Sequence, residues 1–122
     1  SKRAFVNKHT GKAMMQEMGG ERLQSWRHSV SDEARKVWDT APASGPLSVT
    51  IEIYLQRAKK PKHQDPIGKL SGDLDKQARS IMDAMTGVVF WDDSQVTRLL
   101  ITKRWAEERS DGRMGAWINV TS

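Results

Sequence analysis

Asp73-Leu74-Asp75-Lys76-Gln77-Ala78-Arg79-Ser80-Ile81-Met82-Asp83-Ala84-Met85-Thr86-Gly87 has its apolar residues Leu74, Ala78, Ile81, Met82 and Met85 at three- and four-residue intervals, the spacing of one greasy stripe on an α-helix. Ser71-Gly72-Asp73 marks the start, where the helix dipole favours an anion, and Gly87 is a natural residue just past the end. Working outward, Val49, Ile51, Ile53 and Leu55 alternate with Thr50, Glu52, Tyr54 and Gln56, the period of a strand with one buried face. On the other side come the short apolar run Val88 to Trp91, a turn-like Asp92-Asp93-Ser94, and a strand over Val96 to Trp105. A second helix is expected from Glu21 to about Thr40, with Leu23, Trp26, Val30, Ala34, Val37 and Trp38 on one face and Pro42, Gly45 and Pro46 ending it. Residues 1–20 read as a strand or hairpin. A last strand covers about Gly115 to Val120, after the turn Ser110-Asp111-Gly112. The expected fold is α+β: two main helices packed on a small, mixed but mostly antiparallel sheet, in a single domain over residues 1–122.

Size and composition agree with one folding unit. The chain has 122 residues, 37% hydrophobic and 29% charged, enough for one core and typical of a globular protein. No apolar run approaches the roughly 20 residues of a membrane span and no signal peptide is recognised, so a cytoplasmic location is expected. Cysteine is absent, which excludes disulfides and thiolate zinc sites. A metal would have to be held by oxygen or by His9, His28 and His63, and the histidines share no ligand spacing. Oxygen donors favour Mg²⁺, with Mn²⁺ or Ca²⁺ as alternatives. Twenty Lys and Arg against fifteen Asp and Glu give a net charge of +5, which suits a polyanionic partner. The excess is concentrated in Arg57, Lys59, Lys60, Lys62 and Lys69, opposed only by Asp65, in a stretch that Pro61 and Pro66 keep irregular.

That basic segment leads directly into Asp73 and Asp75, with Asp92 and Asp93 following the helix. Carboxylates that converge raise one another's pKa and must either take up a proton or hold a cation. In a basic protein such a cluster points to a divalent ion and a phosphodiester. Two residues apart, Asp73 and Asp75 would diverge on a regular helix, but at its entrance both carboxylates can face one space, with Arg79 a turn beyond Asp75. A tight reversal into the next strand is expected to return Asp92 or Asp93 to them. The plainer alternative is that Asp73 is an N-cap, Asp75 and Arg79 a surface pair, and Asp92-Asp93 a turn. One cap and one turn account for two aspartates, which leaves two over.

Gly72-Asp73-Leu74-Asp75-Lys76, then Ile81-Met82-Asp83-Ala84-Met85-Thr86-Gly87-Val88-Val89 and Asp92-Asp93-Ser94-Gln95-Val96, resemble in order and spacing the RusA family of Holliday junction resolvases of bacteria, prophages and phages. Arg57-Ala58-Lys59-Lys60-Pro61-Lys62-His63 is similar to that family's segment ahead of the first acidic motif, and Lys2-Arg3-Ala4-Phe5 is a thinner match to its basic N-terminal motif. The resemblance implies a homodimer that nicks four-way DNA in an Mg²⁺-dependent reaction, with Mn²⁺ as the other ion expected to serve. It implies catalytic, metal-binding carboxylates at Asp73, Asp75 and Asp93, with Asp92 as the adjacent acid and Asp83 in a structural role. DNA contacts are expected from Arg57, Lys59, Lys60, Lys62, Lys69 and Lys76. One departure bears on mechanism: where the family commonly has a lysine four residues after the second aspartate, this chain has Arg79. Arginine stabilises phosphate charge but keeps its proton and does not readily serve as a proton donor.

Two rival readings follow from the same residues. A non-catalytic DNA-binding protein would use the basic segment alone, and a general Mg²⁺-dependent DNase would share the carboxylates without preferring junctions. No small-molecule cofactor and no membrane partner are expected. Trp26 and Trp38 are expected in the core, Phe90 and Trp91 in the core or a subunit interface, and Met14, Met15 and Met18 near a dimer contact.

Overall fold

A computed structural model describes residues 2–7, 20–55, 64–67, 73–108 and 115–122. The elements are β1 (Lys2–Asn7), α1 (Gly20–Val37), β2 (Leu47–Leu55), α2 (Leu74–Met85), β3 (Val96–Trp105) and β4 (Gly115–Thr121), with single 3₁₀ turns at Asp93–Gln95 and Ala106–Glu108. The four strands form one sheet in the order β1-β4-β2-β3. β4 pairs antiparallel with both β1 and β2, while β3 runs parallel to β2. The α+β expectation holds, as does the mixed sheet.

The parallel pair determines where the site lies. Parallel neighbours cannot be joined by a tight turn and need a crossover, and here that crossover contains α2. β2, α2 and β3 therefore form a β-α-β unit. β2 and β3 run in step from Ser48 opposite Arg98 to Leu55 opposite Trp105. Near its start the ladder skips a residue between Leu47–Val96 and Ser48–Arg98, a bulge at Thr97 that resets the alternation of β3. After it, Leu99, Ile101, Lys103 and Trp105 stand opposite the core residues Val49, Ile51, Ile53 and Leu55.

The core lies between this face of the sheet and the helices. It gathers Val30, Ala34 and Trp38 from α1 and the segment after it, Val49, Ile51 and Ile53 from β2, Ile81 and Met85 from α2, and Ile118 and Val120 from β4. Val89 and Phe90, just after α2, are completely buried, whereas Trp91 is 60% exposed and lies outside it. α2 buries Ala78, Ile81, Met82 and Met85 of the expected stripe, leaves Leu74 half-buried, and carries Asp75, Lys76, Arg79 and Asp83 on its exposed side. Its stop is the expected one: Gly87 has φ +84°, a left-handed conformation that costs glycine little. Asp83 forms an ion pair with Arg27 of α1 at 3.5 Å, joining the two helices. No helix among the described residues is long and apolar enough to cross a membrane.

Candidate active site

The N-terminus of α2 carries Asp73, Asp75, Lys76 and Arg79. Asp73 occupies the N-cap position with extended backbone, but its carboxylate makes no capping hydrogen bond. Its backbone carbonyl accepts from the Gln77 amide at 3.0 Å, so the main chain starts the helix and the side chain is left for other use. That carboxylate is 69% exposed and pairs with Lys76 at 3.7 Å. A solvent-exposed pair of this kind holds its partners weakly. Asp75 and Arg79 lie one turn apart on the exposed side, as expected, yet the described ion pairs of α2 are Asp73 with Lys76 and Asp83 with Arg27.

Asp92 has a different local role. Its carboxylate accepts from the Ser94 amide at 3.0 Å, while the Gln95 side-chain oxygen accepts from the Asp92 amide at 3.0 Å. This reciprocal capping box starts the 3₁₀ turn. The Ser94 hydrogen bonds hold the Asp92 carboxyl below its ordinary pKa, because they favour the charged form. Asp93, at the first position of that turn, is exposed.

Within one chain the expected return of Asp92-Asp93 to Asp73-Asp75 does not occur. The two pairs sit at opposite ends of α2, whose 12 residues span about 18 Å. β3 starts beside Asp93 and runs back along the helix, so the residue delivered to the neighbourhood of Asp73 is Lys103, close to the far end of the strand. The Asp73 charge acts on the Lys103 ammonium, favouring its protonated form, while burial acts more strongly the other way and lowers the Lys103 pKa. Among the described residues no three His, Asp or Glu side chains converge on a point where they could share a metal ion. The donors at Asp73 and Asp75 are hard carboxylate oxygens, which fit Mg²⁺ or Mn²⁺. Mg²⁺ in particular is commonly held by one or two carboxylates, with the remaining positions left to water and phosphate.

The motifs alone give no role to two residues of this region. Gln95 is readable as the fourth residue of an Asp-x-x-Gln capping box. Lys103 is readable by parity, as a cation on the strand face otherwise occupied by Ile101 and Trp105. Of the residues expected to bind DNA, Lys76 is exposed at the α2 entrance. Arg57, Lys59, Lys60, Lys62 and Lys69 lie outside the described residues, as do His9, His63, Met14, Met15, Met18 and the side chain of Trp26.

Comparison with known proteins agrees with the arrangement of motifs. Over 75 residues the chain is 29% identical to a Bacillus subtilis (strain 168) protein described as "Uncharacterized protein YqaN", the match covering 53% of each chain. This chain thus spans about half the length of that relative. The family model for the endodeoxyribonuclease RusA matches residues 1–111, a stretch that contains the basic segment, Asp73, Asp75, Asp92 and Asp93, and the whole β-α-β unit, and the chain belongs to the RusA endodeoxyribonuclease family.

Proposed function

We propose that this nuclease is a divalent-metal-dependent resolvase of four-way DNA junctions that acts as a homodimer. The observation that carries the reading is the Asp73 carboxylate, which sits at a helix N-cap without capping it, with Asp75 in the first turn of the same helix. Asp73 and Asp75 would hold Mg²⁺, or Mn²⁺ in its place. When bound, the cation supplies Lewis-acid stabilisation of the charge that builds on the phosphate. Arg79 presents a fixed positive fork to the non-bridging oxygens and stabilises the same charge, without giving up a proton. Lys76 and the segment from Arg57 to Lys69 hold the DNA arms through their phosphates.

Because Asp93 lies a helix length from Asp73 and Asp75, its part in the reaction is assigned across a two-fold axis: Asp93 of the partner subunit completes the acidic set of Asp73 and Asp75. A C2 dimer then carries two such sets, which matches the two strands that must be nicked to resolve a junction. Asp92 belongs to the turn that presents Asp93.

The decisive experiment compares nicking of a four-way junction, a linear duplex and a single strand by the parent chain, Asp73→Asn and Asp75→Asn, with Mg²⁺ and with EDTA. Paired Mg²⁺-dependent nicks in the junction alone, lost in both variants, are expected. Equal nicking of the linear duplex would replace junction resolution with a general DNase, and binding without nicking would leave a DNA-binding protein.

A further inference from the structure

On the helix side of β3, past the bulge at Thr97, stand Leu99, Ile101, Lys103 and Trp105, of which Leu99 at the near end is exposed. Ile101 packs against the core and Trp105 is part of it, and the matching β2 residues Ile51, Ile53 and Leu55 are fully buried. Lys103 interrupts this apolar row. It stands opposite Ile53 and is half-buried, so its ammonium is partly desolvated. A cation kept on such a face is more informative than one on a solvated surface.

Its surroundings indicate what it serves. Lys103 is near the carboxyl ends of two parallel strands, the end at which open α/β units form their ligand crevice. The N-terminus of α2 lies at the same end, because α2 follows the carboxyl end of β2 and β3 runs parallel to β2, and a helix N-terminus adds partial positive charge. Lys76 and Arg79 stand on the exposed side of α2, so Lys103 is a cation of this neighbourhood that comes from the sheet. The DNA-binding set expected from the sequence does not include Lys103.

We propose that Lys103 is a substrate-binding residue, its ammonium meeting a non-bridging oxygen of the phosphodiester held at Asp73 and Asp75. The proposal rests on the reading of that helix entrance as the nuclease site. Its chemistry is that of a compact point charge on a flexible stem, which adapts to one phosphate oxygen more readily than a planar guanidinium does. Set between Ile101 and Trp105 on the same face of the strand, it would approach the phosphate from the floor of the crevice.

The test uses the full chain in the variants Lys103→Met, Lys103→Gln and Lys103→Arg, with junction affinity measured over a range of salt concentrations with Ca²⁺ in place of Mg²⁺ and the DNA checked to be uncut, so that cleavage plays no part in the readout. Removing one phosphate-bound cation lowers the slope of log affinity against log salt by about 0.9 per subunit. The expected result is that reduction in Lys103→Met and Lys103→Gln and its recovery in Lys103→Arg. Should Lys103→Met unfold, the comparison of Gln with Arg at matched melting midpoints carries the test. Slopes and affinities equal to the parent's in both neutral variants overturn the proposal. Nicking measured in parallel on Asp73→Asn separates the two readings: an active Asp73→Asn sinks the site assignment, whereas an inactive Asp73→Asn beside an unaltered Lys103→Gln sinks only the role of Lys103.

Discussion

The side-chain amide of Gln95 donates to the Ala43 carbonyl at 2.8 Å, across 52 positions of sequence. The same nitrogen donates to the Gly45 carbonyl at 3.0 Å. On its other side the Gln95 oxygen accepts from the amides of Trp91 and Asp92 at 2.9 and 3.0 Å. One side chain thus ties the segment leading into β2 to the turn leading into β3, and fixes the start of the parallel ladder where Leu47 meets Val96. Net contributions of roughly 0.5–1.5 kcal/mol per hydrogen bond, reduced for a partly exposed site, place the cost of Gln95→Ala at about 2–4 kcal/mol. Urea denaturation should show a lower midpoint with an unchanged slope. Gln95→Glu keeps an acceptor for the two amides but sets a carboxylate against two carbonyls, so it should lose at least as much. A variant as stable as the parent would remove Gln95 from the joints that hold the fold.

Much of this fold is legible in the sequence because its elements are strongly periodic. The α2 stripe from Ala78 to Met85, the alternation from Val49 to Leu55 and the glycine stop at Gly87 each follow from side-chain geometry alone. The direction of β3 is harder to read. Asp92-Asp93-Ser94 has the composition of a reversal, but composition does not say which neighbour the next strand will join. Pairing β3 parallel to β2 requires it to begin at the far end of α2 and return along the helix, and so Lys103 arrives where Asp93 is expected. The alternation on β3 is also hidden, since the bulge at Thr97 puts Val96 and Ile101 on the core side although they are five positions apart. Of the acidic residues, Asp73 and Asp92 look alike in sequence as caps. Hydrogen bonding separates them, and only Asp92 is used as one.

The Asp92 cap gives a pH signature. Its carboxyl pKa lies below the ordinary value of 3.8 in the folded chain, so the unfolded chain takes up the proton first as pH falls. The stabilisation is complete above the unfolded value and is lost as pH drops through the folded one. Asp92→Asn retains cap geometry and removes the charge, so its melting midpoint should fall below the parent's at neutral pH. The difference should close as the solution is acidified past 3.8. A gap that persists in acid would mean that the charge of Asp92 is not what stabilises the turn.

The basic segment ahead of α2 predicts a salt dependence. Lys59, Lys60 and Lys62 carry three of its charges, and each lysine that binds a phosphate should, when replaced by alanine, lower the slope of log affinity against log salt by about 0.9. The weakening should be similar for junction and duplex, because groups that bind phosphates position the DNA without reading its shape or sequence. A triple variant with the parent's slope would take this segment out of the DNA interface.

Separation of Asp73 from Asp93 along α2 makes a prediction about mixed dimers. Asp73→Asn and Asp93→Asn chains should each be inactive alone, whichever way the acidic set is assembled. In a heterodimer the two assemblies diverge. If each set lies within one chain, both sets carry a substitution and the mixture stays inactive. If Asp93 of the partner subunit completes the set, one composite site collects both substitutions and the other has neither. Random pairing of equal amounts then makes half the dimers heterodimers with one intact site, restoring roughly a quarter of the parent's sites under two-fold symmetry. Co-expressing the two chains with different tags and purifying the heterodimer isolates that species. Its products should be single nicks in the four-way junction rather than paired ones, because the second site of the same dimer is dead. An inactive heterodimer, shown by its tags to contain both chains, would reject the composite site and require each chain to nick with its own aspartates.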